Sequence, residues 1–319
     1  MATDPLAHTT PPIDGRFVVY RIVRWLAIVV VFAVAVKFLL FDSVLIRTDQ
    51  MSPKLIDGDR TIVLRIFSVW PLSLVCPQFR KSPVIVEDPL LFRYPACLRI
   101  AAKSGDTVFI SKGTFHISNK PDLEFAQLPK TEESLPPDYS PRDSMGMYVL
   151  PKKGDSISLD SLSLRDFFFT VSLMRQENPK ASFDIKPSLF VNGDSAPSFV
   201  FADFYLYKGP IDSVPKDHEF DWFFWDRAHD YLRQSLQGKN VELTFSLLKD
   251  GIRQCNYTFS QSCIFLLADD WQKGYDSRFF GPATSSYVDG RILCVVWSFG
   301  RSEEGNHFLR IGRLFKIIS

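Results

Sequence analysis

Apolar residues run without interruption from Trp25 to Val36, and Phe38-Leu39-Leu40-Phe41 continues the run past a single Lys37. As a helix, residues 25–41 span roughly 26 Å, close to the ~30 Å of a bilayer's hydrocarbon core. Lys37 lies one turn from the end, where its ammonium reaches the outer interface. Arg16, Arg21 and Arg24 precede the run, whereas Asp42, Arg47 and Asp49 follow it with mixed charge. The excess of basic residues on the first side predicts residues 1–24 as a cytoplasmic tail and the bulk of the chain outside. A cleaved signal peptide is the competing reading, with an apolar core from Trp25 to Phe32 and Ala33-Val34-Ala35 as its small-residue site. The continuation through Phe38–Phe41 favours the uncleaved anchor.

Beyond residue 42 the pattern changes to short β-branched and aromatic runs broken by glycine and proline. Arg60 to Phe67 and Leu98 to Ala102 read as strands. Thr107-Val108-Phe109-Ile110 and Thr114-Phe115-His116-Ile117 flank Ser111-Lys112-Gly113 and predict a hairpin. Pro121 to Arg142 is rich in proline and acidic residues and reads as a long loop. Strand character resumes at Met147–Leu150. Val241–Leu247 and Ile252–Phe259, turning at Lys249-Asp250-Gly251, predict a second hairpin. Phe220 to Leu236 is the best outer helix, with apolar residues at helical spacing and Gly238 as its stop. Within it, Trp222, Phe223, Phe224 and Trp225 are apolar all round, which suits either a buried core or a surface dipping into lipid.

The 319 residues, 46% apolar, suffice for one large or two modest domains. A formal net charge of +1, with no basic cluster outside the N-terminus, gives no sign of a nucleic-acid partner. Twenty-nine phenylalanines and 21 prolines suit strands and loops. Cys76, Cys97, Cys255, Cys263 and Cys294 follow the anchor without metal or redox spacing. Cys97 and Cys294 read as small core residues, and Cys255 with Cys263 is a possible disulfide. His218 and His229 stand among Asp217, Glu219, Asp226 and Asp230. Their spacing is not the i, i+4 pairing that puts two metal ligands on one helix face, so a solvated polar face, with no metal or cofactor, is expected.

Residues 46–59, Ile-Arg-Thr-Asp-Gln-Met-Ser-Pro-Lys-Leu-Ile-Asp-Gly-Asp, resemble the nucleophile box of signal peptidase I, Ile-Pro-Ser-Gly-Ser-Met-x-Pro-Thr-Leu-x-x-Gly-Asp. Met51, Pro53, Leu55, Gly58 and Asp59 hold its register. Cys97–Asp106 is similar to the family's Val-Lys-Arg-Val-Ile-Gly-x-x-Gly-Asp segment through Arg99, Gly105 and Asp106. Residues 265–282 resemble the late box Gly-Asp-Asn-Arg-Asp-Asn-Ser-x-Asp-Ser-Arg-x-x-Gly through Asp269, Asp276, Ser277, Arg278 and Gly281. The strand, turn and Asn119-Lys120 after Gly105-Asp106, and the closing strands near 290–298 and 308–312, follow the family too. The resemblance implies a mainly β, signal-peptidase-I-like fold. It consists of a coiled β core of residues 42–110 and 255–319, an inserted β-rich domain with a helix over 111–254, and a preceding transmembrane helix over 25–41.

The family's chemistry needs a serine hydroxyl and a neutral lysine that takes its proton. By this resemblance the nucleophile position is Gln50, the general-base position Leu98 and the lysine-supporting position Gly274. An amide is no nucleophile and leucine accepts no proton, although its hydrocarbon fills the slot of a lysine stem. Thr48 stands at the oxyanion-hole position, and Asp276 with Arg278 is the implied scaffold ion pair. Ser52, Lys54 and Lys103 are the nearest substitutes, and each reads as an ordinary solvent-facing residue. Asp269-Asp270 points its carboxylates to opposite faces of a strand rather than forming an acid/base dyad. The implied protein sits in the cytoplasmic membrane with its C-terminal part outside. It is an inactive homologue binding signal peptides, preproteins or a secretion component. The alternatives are an active signal peptidase with displaced catalytic residues, or an envelope protein that retains only the fold.

Overall fold

A computed structural model describes residues 15–65, 83–86, 95–118, 144–272, 274–302 and 305–318. The expected loop over 121–142, the Asn119-Lys120 segment and Cys76 lie outside the described residues. Helix α1 spans Gly15–Leu40 and leads directly into strand β1, Phe41–Leu45. Its described side chains from Val19 to Val34 are exposed, with Phe32 at 69%. Among the described residues, no helix is long and apolar enough to cross a membrane.

The strands that follow are β2 (Asp59–Leu64), β3 (Pro83–Val86), β4 (Ala96–Lys103), β5 (Thr107–Ser111), β6 (Thr114–Ile117), β7 (Met145–Val149) and β8 (Ser156–Ser158). Helix α2 spans Leu164–Glu177, and β9 spans Phe183–Val191. Three two-residue strands follow: β10 (Asp194–Ser195), β11 (Val200–Phe201) and β12 (Gly209–Pro210). Helices α3 (Lys216–Glu219) and α4 (Trp222–Ser235) precede β13 (Val241–Lys249), β14 (Ile252–Gln254), β15 (Asn256–Thr258) and β16 (Cys263–Leu267). The chain closes with α5 (Ser277–Phe280), β17 (Ala283–Thr284), β18 (Val288–Arg301), β19 (His307–Leu309) and β20 (Lys316–Ile317).

The architecture is mainly β. A nine-stranded antiparallel sheet runs β1-β2-β18-β3-β4-β16-β17, with β19 and β20 also paired to β18. It is assembled from residues 41–103 and 263–317, so its two halves meet only after a long excursion of the chain. Its middle strands show why period-two patterning fails there: Val84, Ile85 and Val86 are all buried. Val84, Val86 and Leu98 pack on one face with Leu266 and Ala268. Ile85 and Cys97 pack on the other with Met51, Leu55 and Val63. A strand buried on both faces reads as a continuous apolar run rather than an alternation.

The excursion holds a three-stranded sheet, β6-β5-β7, and a four-stranded sheet, β10-β9-β13-β14. The first predicted hairpin forms as β5–β6. Its turn places Lys112 at φ 51° and Gly113 at φ 74°, the doubly left-handed geometry that suits a two-residue connection. The second turns at Asp250 and Gly251, but its return limb pairs with β13 only over Ile252–Gln254. The rest, Asn256–Thr258, leaves to pair with β8. Helix α4 matches the predicted one to within two residues at each end. Phe224 and Trp225, each 1% exposed, join a core with α2, so the aromatic cluster is core rather than a lipid-facing surface. The suggested Cys255–Cys263 disulfide is absent; both are free thiols, Cys255 exposed and Cys263 buried.

Candidate functional site

The segment between β1 and β2 is a closed loop. Ile46 N donates to Asp59 O (2.8 Å) and Gly58 N donates to Ile46 O (3.0 Å). The motif residues each have a mechanical reason. Met51 and Leu55 are buried anchors, 1% and 0% exposed, in the apolar cluster beneath the sheet. Gly58 has φ 88°, and a Cβ there would meet the carbonyl oxygen of Phe299 at 1.9 Å, so only glycine fits. Asp59 is fully buried, accepts Ile56 N (3.0 Å) and forms a bidentate ion pair with Arg313.

This scaffold presents Thr48 to solvent and holds Gln50 half-buried. Gln50 Oε1 is buried and accepts no hydrogen bond among the described residues. The backbone carbonyl of Gln50 accepts Asp270 N at 2.8 Å, which ties the loop to the segment after β16.

That segment is shaped by buried charge. Asp276 and Arg278 are both fully buried. Arg278 Nε and Nη2 donate to Asp276 Oδ1 (2.8 Å) and Oδ2 (2.7 Å). Asp276 Oδ2 also accepts Ala268 N at 2.9 Å, pinching the loop closed. Arg278 Nη1 donates to Trp271 O (3.1 Å), and the guanidinium carbon lies 4.0 Å from the centre of the Trp271 ring. A buried charge is tolerated when it is paired and its remaining donors are satisfied, which is the arrangement here.

A second buried pair crosses from β4 to β16. Arg99 Nε and Nη2 donate to Asp269 Oδ1 (2.7 Å) and Oδ2 (2.6 Å). Arg99 and Asp269 belong to separate motifs, and nothing local in the sequence links positions 170 residues apart. Burial, then the Asp269 charge, pushes the neighbouring Cys97 thiol far up. Asp270 points elsewhere, accepting Gln272 N at 3.1 Å, so the two adjacent carboxylates have separate tasks.

Residues 268–270 bring the three predicted positions together. Asp270 N reaches Gln50, and Gly274 N donates to Asp270 O at 2.9 Å. Leu98, 0% exposed in β4, packs in the same apolar cluster as Ala268. A Cβ on Gly274 would meet the Ala268 methyl at 2.2 Å and Asp270 O at 2.7 Å. Gln50, Leu98 and Gly274 thus surround one short stretch of backbone, with no titratable side chain among the three. Lys103 lies exposed at the end of β4, while Ser52 and Lys54 are half-buried in the loop, so neither is the fully solvent-facing residue expected. Lys54 uses its carbonyl to accept Arg313 Nη2 at 2.8 Å.

Among the described residues the histidines do not gather. His218 stacks on Phe224 with centroids 4.7 Å apart, and burial lowers the pKa of His229. Among the described residues, no group of three or more His, Cys, Asp or Glu side chains is placed to hold a metal ion.

Residues 19–156 fit the family model described as signal peptidase, peptidase S26. No curated protein matches the chain. The matched span includes Thr48, Gln50 and Leu98, whereas Gly274, Asp276 and Arg278 lie outside it.

Proposed function

We propose, from the match of residues 19–156 to the signal peptidase family model, that this chain is a non-cleaving signal peptidase I relative that binds segments of exported proteins or a secretion partner. The observation that carries the reading is Leu98. The general-base position is a leucine with no exposure, enclosed by Val84, Val86, Leu266 and Ala268, and no amine stands in its place. With Gln50 at the nucleophile position, neither half of a serine/lysine dyad is available. In serine proteases, loss of nucleophile or base costs on the order of 10^6 in turnover. What remains suited to work is the loop around Thr48, whose exposed hydroxyl can donate to a peptide carbonyl, on a frame fixed by the Asp276–Arg278 pair. We read the nine-stranded sheet, with residues 42–110 and 255–319, as the peptidase-like core and 111–254 as an inserted domain.

The same reading takes α1, with residues 25–41, as a membrane anchor. What supports it is the apolar sequence from Trp25 to Val36 and the exposed Val, Ile and Phe side chains of α1, which ask for lipid. Arg21 and Arg24 before the apolar run favour a cytoplasmic N-terminus and an outer C-terminal part.

The test is incubation of the purified full chain, in detergent, with a preprotein. No cleavage is expected, while a photo-crosslinker at Thr48 or Gln50 should capture the signal peptide. Cleavage that disappears in Ser52→Ala would establish a displaced nucleophile and overturn the proposal. Crosslinks absent from both positions would point instead to a structural envelope role.

A further inference from the structure

Between α2, α3 and the start of α4 lies a cavity of about 330 Å³, walled on its remaining side by Tyr275, Phe279 and Phe280. Those three residues flank the buried Asp276–Arg278 pair, so the segment that braces the candidate site also builds this separate space. Phe220, Trp222, Tyr275 and Phe279 give it aromatic walls beside charged ones. Tyr275 and Phe279 stack with centroids 5.8 Å apart and ring planes 21° apart.

The charges in the wall favour a cation. Asp217, Asp221, Lys216 and Arg175 all line the cavity. Lys216 is already held by Asp184 (2.6 Å) and Glu219 (2.7 Å), so its charge is more than balanced. Arg175 lies over the Phe220 ring, its guanidinium carbon 3.8 Å from the centroid, which shows that this aromatic wall accepts a guanidinium face. With Lys216 balanced by Asp184 and Glu219, Arg175 offsets one of Asp217 and Asp221, and the other leaves the lining one negative charge in excess. Asp221 Oδ1 accepts Phe223 N at 3.0 Å as the cap of α4. Burial raises the Asp221 pKa, and burial with the Asp221 charge pushes the Tyr275 phenol up to about 12. Both directions describe a poorly solvated space in which a carboxylate gains from an incoming cation.

We propose that this cavity binds the lysine or arginine side chain of a peptide, held between aromatic faces and the Asp217 and Asp221 carboxylates. The cavity is of the size of a small-ligand site, and ring faces with adjacent carboxylates recognise ammonium and guanidinium groups. The proposal does not rest on the Gln50 loop holding a peptide, and failure of crosslinking there leaves it standing.

The test is calorimetric titration of the full chain in detergent with acetyl-Ala-Ala-Arg-Ala-Ala-amide and with its citrulline counterpart, which has nearly the same shape and no charge. The arginine peptide should bind at least about tenfold more tightly. Asp217→Asn with Asp221→Asn should remove about that preference. Asparagine still caps a helix, so the urea midpoint should hold. Equal affinity of the two peptides, no saturable binding of either, or an undiminished preference in the double variant would each overturn the proposal. The first two need no variant and are unaffected by any loss of fold.

Discussion

At Gly274 the restriction is steric before it is chemical. A Cβ meets the Ala268 methyl at 2.2 Å and the Asp270 carbonyl oxygen at 2.7 Å, and the backbone here is not in the left-handed region. Gly274→Ser should therefore lower stability by about 1–3 kcal/mol in urea denaturation, the usual cost of overpacking. Ala268→Gly in the same chain should recover the part due to the methyl, and purely additive effects would refute the contact. Restoring Gln50→Ser, Leu98→Lys and Gly274→Ser together thus needs Ala268→Gly as a fourth change before activity is a fair readout. At Gln50 the buried, unpaired Oε1 is a cost of its own. Gln50→Met keeps the length and removes the amide, and should raise stability by about 1 kcal/mol. A fall instead would show that the amide is paired. The identities at 50, 98 and 274 were legible because each sits inside a motif. The crowding at 274 was not, since it depends on a loop drawn shut by Asp276 onto Ala268 N.

At the scale of elements, buried ion pairs hold the loops that the strands leave irregular. Asp276→Asn leaves the Arg278 guanidinium buried beside a neutral amide, and should cost about 3–5 kcal/mol by chemical denaturation. Arg253→Met, which breaks a pair with Asp160 whose side chains are 59% and 49% exposed, should cost no more than about 1 kcal/mol. Equal effects would mean that burial does not govern these pairs. Thiol chemistry separates elements in the same way. Cys255 is exposed, whereas burial pushes the Cys263 thiol up to about 12, leaving about one part in ten thousand as thiolate at pH 8. Iodoacetamide should label Cys255 promptly and Cys263 only after denaturation, as read by peptide mass mapping. The hairpin at 107–117 and helix α4 were readable because each carries its own turn or period. Helix α2 and strand β9 were missed. Three consecutive phenylalanines, Phe167 to Phe169, blur the helical period, and Pro187 argues against a strand. Pro187 is accommodated because β10 pairs only with Phe190 and Val191, leaving an open edge beside it.

For the whole molecule, the long-range order of the sheet follows from β18. This one strand pairs with β2 through Arg291–Ser298 and with β3 through Val288–Arg291, so the end of the chain locks its beginning. No local pattern announces such closure; only the resemblance of both ends to one family pointed to it. Among the described residues, helix α1 meets the sheet at its junction with β1, where Arg65 N donates to Leu40 O at 2.8 Å. Its exposed apolar side chains are then either lipid-facing or a liability in water. Deleting residues 1–40 should leave the urea midpoint of the remaining chain nearly unchanged, because the nine-stranded sheet begins at Phe41. The same deletion should move the protein from the alkaline-carbonate pellet to the supernatant. A full-length chain already in the supernatant would rule out the anchor. A truncated chain that unfolds would instead show that α1 packs on the sheet, and its exposed face would then need a protein partner rather than lipid.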